Sequence, residues 1–204
     1  MPTDECEKEI KSRGFCKVCG VDEAGRGPLA GPVCAAAVIL NDDNPIDGLN
    51  DSKKLSAKKR DALYEEIIEK ATAWSVAFAT VEEIEGLNIL NATFLAMNRA
   101  IEGLSVPADY AIIDGNHTPK NCKIPAVALI KGDSLSLSVS AASIIAKVTR
   151  DRYMCALGEK YDKYNFKKHK GYGTKEHIEA IKKYGASDIH RPSFLKNILS
   201  GKRQ

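Results

Sequence analysis

The sequence has no apolar run long enough to span a bilayer. Its longest, Val33 to Leu40, falls far short of the roughly 20 residues a membrane helix needs. The amino terminus, MPTDECEKEI, is acidic and polar, and no cleavable apolar stretch follows it. No secretory signal or membrane association is therefore expected, and the expected compartment is the cytoplasm. Cys16 and Cys19 form the single Cys-x-x-Cys pair among six cysteines, and no His pair has zinc-finger spacing. In a reducing compartment such cysteines read as thiols rather than as a zinc site or a disulfide framework. Neither a Walker A loop nor a GxGxxG fingerprint occurs, which removes support for a nucleotide cofactor. There is no internal repeat and no low-complexity segment. The net charge of +3 is too small to imply a nucleic-acid partner by itself.

What is present suits one domain with an appendage. The 204 residues are 44% hydrophobic and 28% charged, enough to bury a core without staples. Residues 1–14 read as a polar leader with helical character. Phe15 to Val21, Pro32 to Leu40, Ala73 to Val81, Tyr110 to Ile113 and Ala126 to Ile130 have the length and apolarity of strands. The continuous apolarity of PVCAAAVIL predicts a strand covered on both faces. Helices are predicted from an N-cap at Ser56 to about Lys70, over Asn88 to Leu104, over Ser138 to about Tyr153, and over Thr174 to Tyr184. On the Ser138 helix, Ala141, Ile144, Ile145 and Val148 form an apolar stripe. Ser140, Ser143, Lys147 and Arg150 form a polar one on the opposite side. Strands mixed with long helices indicate an α/β fold, with a domain over 1–155 and a helical, basic extension over 156–204.

Charge is distributed unevenly. Between Lys160 and Lys170 five lysines and His169 face Asp162 alone, and Lys202 and Arg203 follow near the end. Either a solvated basic face or a surface for an anionic partner accounts for this.

Three of the predicted strands lead into acid: Asp22-Glu23 after the first, Asp114 after the fourth, Asp133 just beyond the fifth. Active sites of α/β proteins gather at strand ends. Four carboxylates in one place would repel unless cations neutralised them, and hard oxygen ligands suit Mg²⁺ or Mn²⁺. Two such ions beside a phosphodiester are the means of in-line hydrolysis. Asp after a strand is also a common turn residue or helix cap, so the pattern alone leaves both roles open. Gly25-Arg26-Gly27-Pro28 follows directly, a turn whose glycines allow backbone N–H groups close to a phosphate or sugar. A plain tight loop is the other reading of it.

These residues, with others along the chain, resemble the signature of bacterial ribonuclease HII. The blocks run in order: Val21-Asp-Glu-Ala-Gly-Arg-Gly-Pro-Leu-Ala-Gly-Pro-Val33, Leu49-Asn-Asp-Ser-Lys-Lys-Leu-Ser56, Ile113-Asp-Gly-Asn116, Lys131-Gly-Asp133, Ser140-Ala-Ala-Ser-Ile-Ile-Ala-Lys-Val-Thr-Arg-Asp151, His169-Lys-Gly-Tyr172 and His190-Arg-Pro-Ser-Phe194. The resemblance covers about residue 18 to about residue 195. It implies a ribonuclease H-like mixed sheet flanked by helices, with a helical C-terminal extension. It implies an endonuclease cutting the RNA strand of RNA–DNA hybrids, and cutting 5′ of ribonucleotides embedded in duplex DNA. Catalysis and binding of two metal ions fall to Asp22, Glu23, Asp114 and Asp133, leaving 3′-hydroxyl and 5′-phosphate ends. The turn Gly25-Arg26-Gly27 resembles the family's reader of the ribose 2′-OH, and Tyr172 the tyrosine that packs on the junction sugar. Lys53, Lys54, Ser143, Lys147 and Arg150 are the candidate substrate contacts. His169 and His190 are candidates for proton transfer, with a structural or positioning role favoured for His190. A non-catalytic nucleic-acid-binding module and a related metal-dependent DNA nuclease are the alternatives, and a monomer is expected.

Overall fold

A computed structural model describes residues 1–199; Lys202 and Arg203 of the expected basic tail lie outside the described residues. Five strands form one mixed sheet in the order β3-β2-β1-β4-β5. They are β1 (Val18–Ala24), β2 (Val33–Ile39), β3 (Ala73–Ala79), β4 (Tyr110–Asp114) and β5 (Ala126–Leu129). β1 pairs antiparallel with β2 and β2 with β3, whereas β1–β4 and β4–β5 are parallel. Every residue of β2 is buried, as its unbroken apolarity predicted. β1 extends through Ala24, so Asp22 and Glu23 lie within the strand and not beyond its end.

Helices cover both faces. α2 (Ala57–Lys70) and α6 (Leu137–Lys160) lie on one side, over a core that includes Ala36, Val38, Leu63, Ile67, Ile144 and Ile145. α3 (Val81–Leu87) and α4 (Ile89–Glu102) lie on the other, over Val21, Ala35, Ile84, Ala96 and Ile113. Ser56 caps α2 by accepting from the Lys59 N–H, as its position implied. The expected third strand stops at Ala79 because Thr80 and Glu83 form a reciprocal capping box that starts α3.

Two expectations about α6 are corrected. It runs to Lys160, continuous through residue 155, where the C-terminal extension was expected to begin. Its serine and arginine stripe does not face solvent: Ser140, Ser143 and Arg150 are buried, and only Lys147 of the four is partly open. The C-terminal segment packs against the far half of the helix, at Met154 and Leu157, while Arg152, Tyr153 and Lys160 stay exposed. There Leu29, Ala30, Met154, Tyr164, Phe166, Ile181 and Leu195 make a separate core. That segment comprises α7 (Phe166–His169), α8 (Lys175–Tyr184) and α9 (Pro192–Leu199).

The leader is likewise no loose appendage. Its helix α1 (Glu5–Ser12) buries Ile10 against Val18, Tyr110, Ile112 and Val139. The start of α6 lies directly on β1 at Gly20, where an added Cβ would stand 2.1 Å from the backbone carbon of Ser138. Backbone on both sides cannot yield, so only glycine fits. Gly20→Ala is expected to cost about 3 kcal/mol or more. Gly86→Ala in α3, where a Cβ meets open space, is expected to stabilise by up to about 1 kcal/mol. Denaturant unfolding of both variants checks the contrast.

Candidate active site

The last paired residues of β1 and β4 are Val21 and Ile113. One step further along each parallel strand stand Asp22 and Asp114. Strands in register lie about 4.8 Å apart and turn equivalent side chains to the same face. The two carboxylates are therefore neighbours by sheet geometry alone. Asp133 reaches the same end of the sheet from a different element, α5 (Gly132–Leu135), a single helical turn after β5. Lys131 adopts a left-handed conformation (φ 60°) to make the reversal. The Gly132 N–H donates to Asp114 Oδ1 at 2.7 Å, which ties α5 to the end of β4. In the same way the Glu23 N–H donates to Asp22 Oδ1 at 2.7 Å. Each bond fixes one carboxylate oxygen and its rotamer while leaving the second oxygen uncommitted.

The cleft is acidic, and Asp22 and Asp133 are buried in it. Burial, followed by the charges of Glu23, Asp114 and Asp133, pushes the Asp22 carboxyl well above the usual range. Burial also raises Glu23, against the pull of Arg26, whose Nη1 lies 3.5 Å from Glu23 Oε1. Asp133 is raised by burial, then by Asp114 and Asp51, with Lys53 opposing from 3.9 Å. Burial works against the charge of Lys53 itself, yet Asp22, Asp133, Asp51 and Asp114 together hold its pKa above the ordinary value. Asp22 thus feels the charge of the other three expected acids, and Asp114 acts on Asp22, Glu23 and Asp133 alike. Asp51 is a fifth that the motif reading passed over, although it stands in the Leu49–Ser56 block. Its carboxylate accepts the Lys53 N–H at 2.9 Å and lies 3.8 Å from Lys54 Nζ.

The donor set is entirely carboxylate oxygen, which fits hard divalent cations and not zinc. Among the described residues, no three His, Cys, Asp or Glu side chains are positioned to hold an ion as they stand. Their mutual repulsion opposes closer approach, and a cation between them would reverse its sign.

The glycine-rich turn lies beside the acids and is held from behind by two buried arginines. Arg150 donates to the carbonyls of Pro32 (2.9 Å), Ala30 (3.1 Å) and Lys170 (3.1 Å). Arg191 donates to those of Gly31 (2.9 Å), Arg26 (2.9 Å) and Gly25 (2.7 Å). Gly25 has φ 98°, and a Cβ there would fall 2.0 Å from Arg150 Nε. This placement corrects two expectations. Arg150, 1% exposed and committed to carbonyls, braces the loop and does not present itself to a phosphate. Ser143, 2% exposed, gives its hydroxyl proton to the Ser140 carbonyl within its own helix and likewise offers nothing to a ligand. Arg191, within the His190-Arg-Pro block, was not singled out, because a guanidinium that satisfies backbone carbonyls leaves no periodic signal.

Other candidates do border the cleft. The Tyr172 ring is 40% exposed, with Lys147 Nζ 5.7 Å and Arg150 Cζ 5.9 Å from its centroid. Lys53 and Lys54 are exposed, and Lys54 Nζ donates to Ser134 Oγ of α5 at 3.2 Å. Arg26 and Gly27 are exposed while Gly25 is buried. Cys16 is exposed ahead of β1, whereas Cys19 is buried within it and its thiol is pushed up to about 12 by burial.

A family model described as Ribonuclease HII matches residues 19–197. The chain belongs to the ribonuclease HII family. It is 55% identical over 196 residues to the Ribonuclease HII of Caldicellulosiruptor bescii, covering 96% of this chain and 95% of that protein. It is 59% identical over 177 residues to that of Dechloromonas aromatica, covering 87% and 90%. The crystal structure of the ribonuclease H2 from Pyrococcus horikoshii superposes with a TM-score of 0.73 at 29% identity, covering 91% of this chain and 98% of that one. A Mn²⁺ complex of Bst-RNase HIII shares the fold, with a TM-score of 0.70 at 20% identity over 94% and 72%. As a ribonuclease HII the protein is a metal-dependent endoribonuclease that hydrolyses the RNA strand of RNA–DNA hybrids.

Behind Tyr172 the ribonuclease HII extension carries three buried histidines whose tautomers follow from their partners. The Ser187 N–H donates to His190 Nδ1 at 2.9 Å, so the ring proton of His190 is on Nε2. His190 Nε2 donates it to His177 Nε2 at 3.0 Å, and His177 Nδ1 donates to the Tyr172 carbonyl at 2.9 Å. His169 Nε2 donates to the Tyr164 carbonyl at 2.6 Å. All three are neutral, remote from the acids, and engaged in holding the loop that carries Tyr172. Proton transfer at the cleft is therefore not their task. Burial, joined by His169 at His177 and by His177 at His190, lowers the two rings to about 4 from an ordinary 6.5. The unfolded chain binds protons at these rings below about 6.5 and the folded one does not until about 4. Stability is fully present above that window and falls as pH drops through it, by roughly 1.4 kcal/mol per histidine per pH unit. Urea unfolding from pH 7 to 4.5 is expected to show that decline, and His177→Gln to flatten it.

Proposed function

We propose that Asp22, Glu23, Asp114 and Asp133 hold two divalent cations, Mg²⁺ or Mn²⁺, and that the protein cuts 5′ of ribonucleotides. The observation that carries this reading is the placement of Asp22 and Asp114 side by side past the Val21–Ile113 pair, with Glu23 and Asp133 close enough to perturb Asp22. When bound, the ions supply an activated water and charge neutralisation for the leaving oxygen, giving 3′-hydroxyl and 5′-phosphate ends. Asp22, central among the acids and with its Oδ2 left free by the Glu23 N–H, would be a ligand to the ions. The Glu23 and Gly132 N–H groups keep Asp22 and Asp114 turned toward the metals before substrate arrives. Lys53 and Lys54 carry positive charge at the rim and contact phosphate, with Lys147 on the Tyr172 side.

Ribose recognition falls to the turn Gly25-Arg26-Gly27. Its carbonyls at Gly25 and Arg26 are engaged by Arg191, so the loop is rigid and its exposed part is the Arg26–Gly27 segment. A 2′-hydroxyl, absent from DNA, is the feature such a backbone reads. Tyr172 packs on the sugar at the RNA–DNA junction and extends activity to single ribonucleotides embedded in duplex DNA. The substrates are thus RNA–DNA hybrids and ribonucleotide-containing duplexes, met by a monomer in the cytoplasm.

Asp22→Asn is expected to lower cleavage of an end-labelled hybrid in Mg²⁺ by about 10³-fold or more while leaving the unfolding transition in place. Near-normal turnover would refute the metal site. Tyr172→Ala is expected to lower cutting at a single embedded ribonucleotide by about tenfold, the value of one lost stacking contact. Mapped cleavage products from that duplex check both the rate and the position of the cut.

A further inference from the structure

Asp133 sits on a helix that cannot support itself. α5 is four residues long, and an isolated turn fixes several dihedrals for a single hydrogen bond. Its position must come from outside. In front, the bond from Gly132 to Asp114 anchors it. Behind, the segment that leaves α5 is gripped by the leader. The Thr3 N–H donates to the Leu135 carbonyl at 3.0 Å, and the Leu137 N–H donates to the Thr3 carbonyl at 3.1 Å. Glu7 then reaches from α1 into the turn between α5 and α6. Its Oε1 accepts from Ser136 Oγ (2.6 Å), from the Ser138 N–H (2.9 Å) and from Ser138 Oγ (2.6 Å).

Glu7 is 7% exposed, and its Oε2 is buried with no partner. Burying a carboxylate oxygen without compensation is costly, so its retention needs a return elsewhere. The leader is itself well held, through Ile10 in the core and an ion pair from Lys11 to Asp42. It lies ahead of the 19–197 span that matches the family. Gly132, Asp133 and Ser136 thus form a short bridge with Asp114 at one end and Glu7 at the other.

We infer that Glu7, with Thr3, is a positioning residue for catalysis: the leader sets the placement of Asp133 and thereby the affinity of the site for its divalent ions. The inference rests on the reading of Asp133 as a metal ligand. Residues that orient a metal ligand without touching the metal typically alter affinity by 10–100-fold when removed.

The test compares wild type, Asp133→Asn, Glu7→Ala and Glu7→Gln in two measurements: Mn²⁺ binding to the free protein by electron paramagnetic resonance, and the Mg²⁺ concentration for half-maximal cleavage of a hybrid. Glu7→Ala is expected to weaken Mn²⁺ binding and raise the Mg²⁺ requirement about tenfold, with most of the rate recovered at saturating Mg²⁺. Glu7→Gln keeps an acceptor oxygen for the serines. It is expected to bind Mn²⁺ nearly as wild type even though its buried amide lowers the melting temperature. A merely structural role would move the melting temperature and leave both metal readouts unchanged. Wild-type Mn²⁺ affinity in folded Glu7→Ala, with weakened binding in Asp133→Asn, overturns the inference alone. Unaltered binding in Asp133→Asn overturns the ligand reading, and the inference with it. Should Glu7→Ala fail to fold, Thr3→Pro removes the N–H donated to Leu135, together with the threonine side chain and the freedom of φ there. It is expected to shift the Mg²⁺ requirement in the same direction, and no shift overturns the inference.

Discussion

The parallel pairing of β1 with β4 is the constraint on which the site rests. It joins strands far apart in the chain and places Asp22 beside Asp114 at one end of the sheet's central strands. Everything else at that end is arranged around the pair. The antiparallel β2 covers the opposite flank of β1, and α6 lies so close that only Gly20 permits the contact. Two like charges held together by backbone geometry are a standing electrostatic liability. Burial first and neighbouring carboxylates second raise Asp22, Glu23 and Asp133, and a divalent cation is the natural counterpart of the cluster.

Around this end the protein uses buried polar side chains to position irregular backbone. Arg150 and Arg191 direct their guanidinium groups at carbonyls of residues 25–32, the loop between β1 and β2, and Arg150 also ties in Lys170. They join the loop to α6 and to the C-terminal segment at once. Their burial is costly, and it depresses the Arg191 guanidinium to about 9, with Arg150 adding repulsion. The glycine-rich turn could not satisfy those carbonyls internally, since its glycines bring no side chains. The histidine set repeats the device with neutral groups: every ring nitrogen of His177 and His190 is partnered, and the chain of bonds ends on the carbonyl of Tyr172. Both loops are thus fixed from behind by buried side chains.

Much of this was legible in advance. The β2 strand announced itself by unbroken apolarity, α2 by Ser56, and the acids by their place at strand ends. The family blocks supplied the order in which these parts assemble. Arg150 and Ser143 were misplaced for one reason: a polar stripe at helical spacing usually marks a solvated face. Here Arg150 turns inward to the carbonyls of Pro32, Ala30 and Lys170, and Ser143 bonds within its own helix. Asp51 was overlooked because an acid in an Asn-Asp-Ser turn looks like a cap for its own loop, which it also is. α7 and α9 left weak signals because they are short and depend on packing.

The sequence by itself determined the class of fold, the four acids and the glycine-rich turn, because local periodicity, strand ends and ordered motifs are properties of neighbouring residues. Tertiary structure alone decided which polar side chains face the cleft and which brace it from within. It also drew the leader, through Glu7, into contact with the turn after Asp133. Those outcomes depend on burial and on hydrogen-bond partners up to 166 positions away, as between Arg191 and Gly25, and no local pattern encodes a partner at that separation.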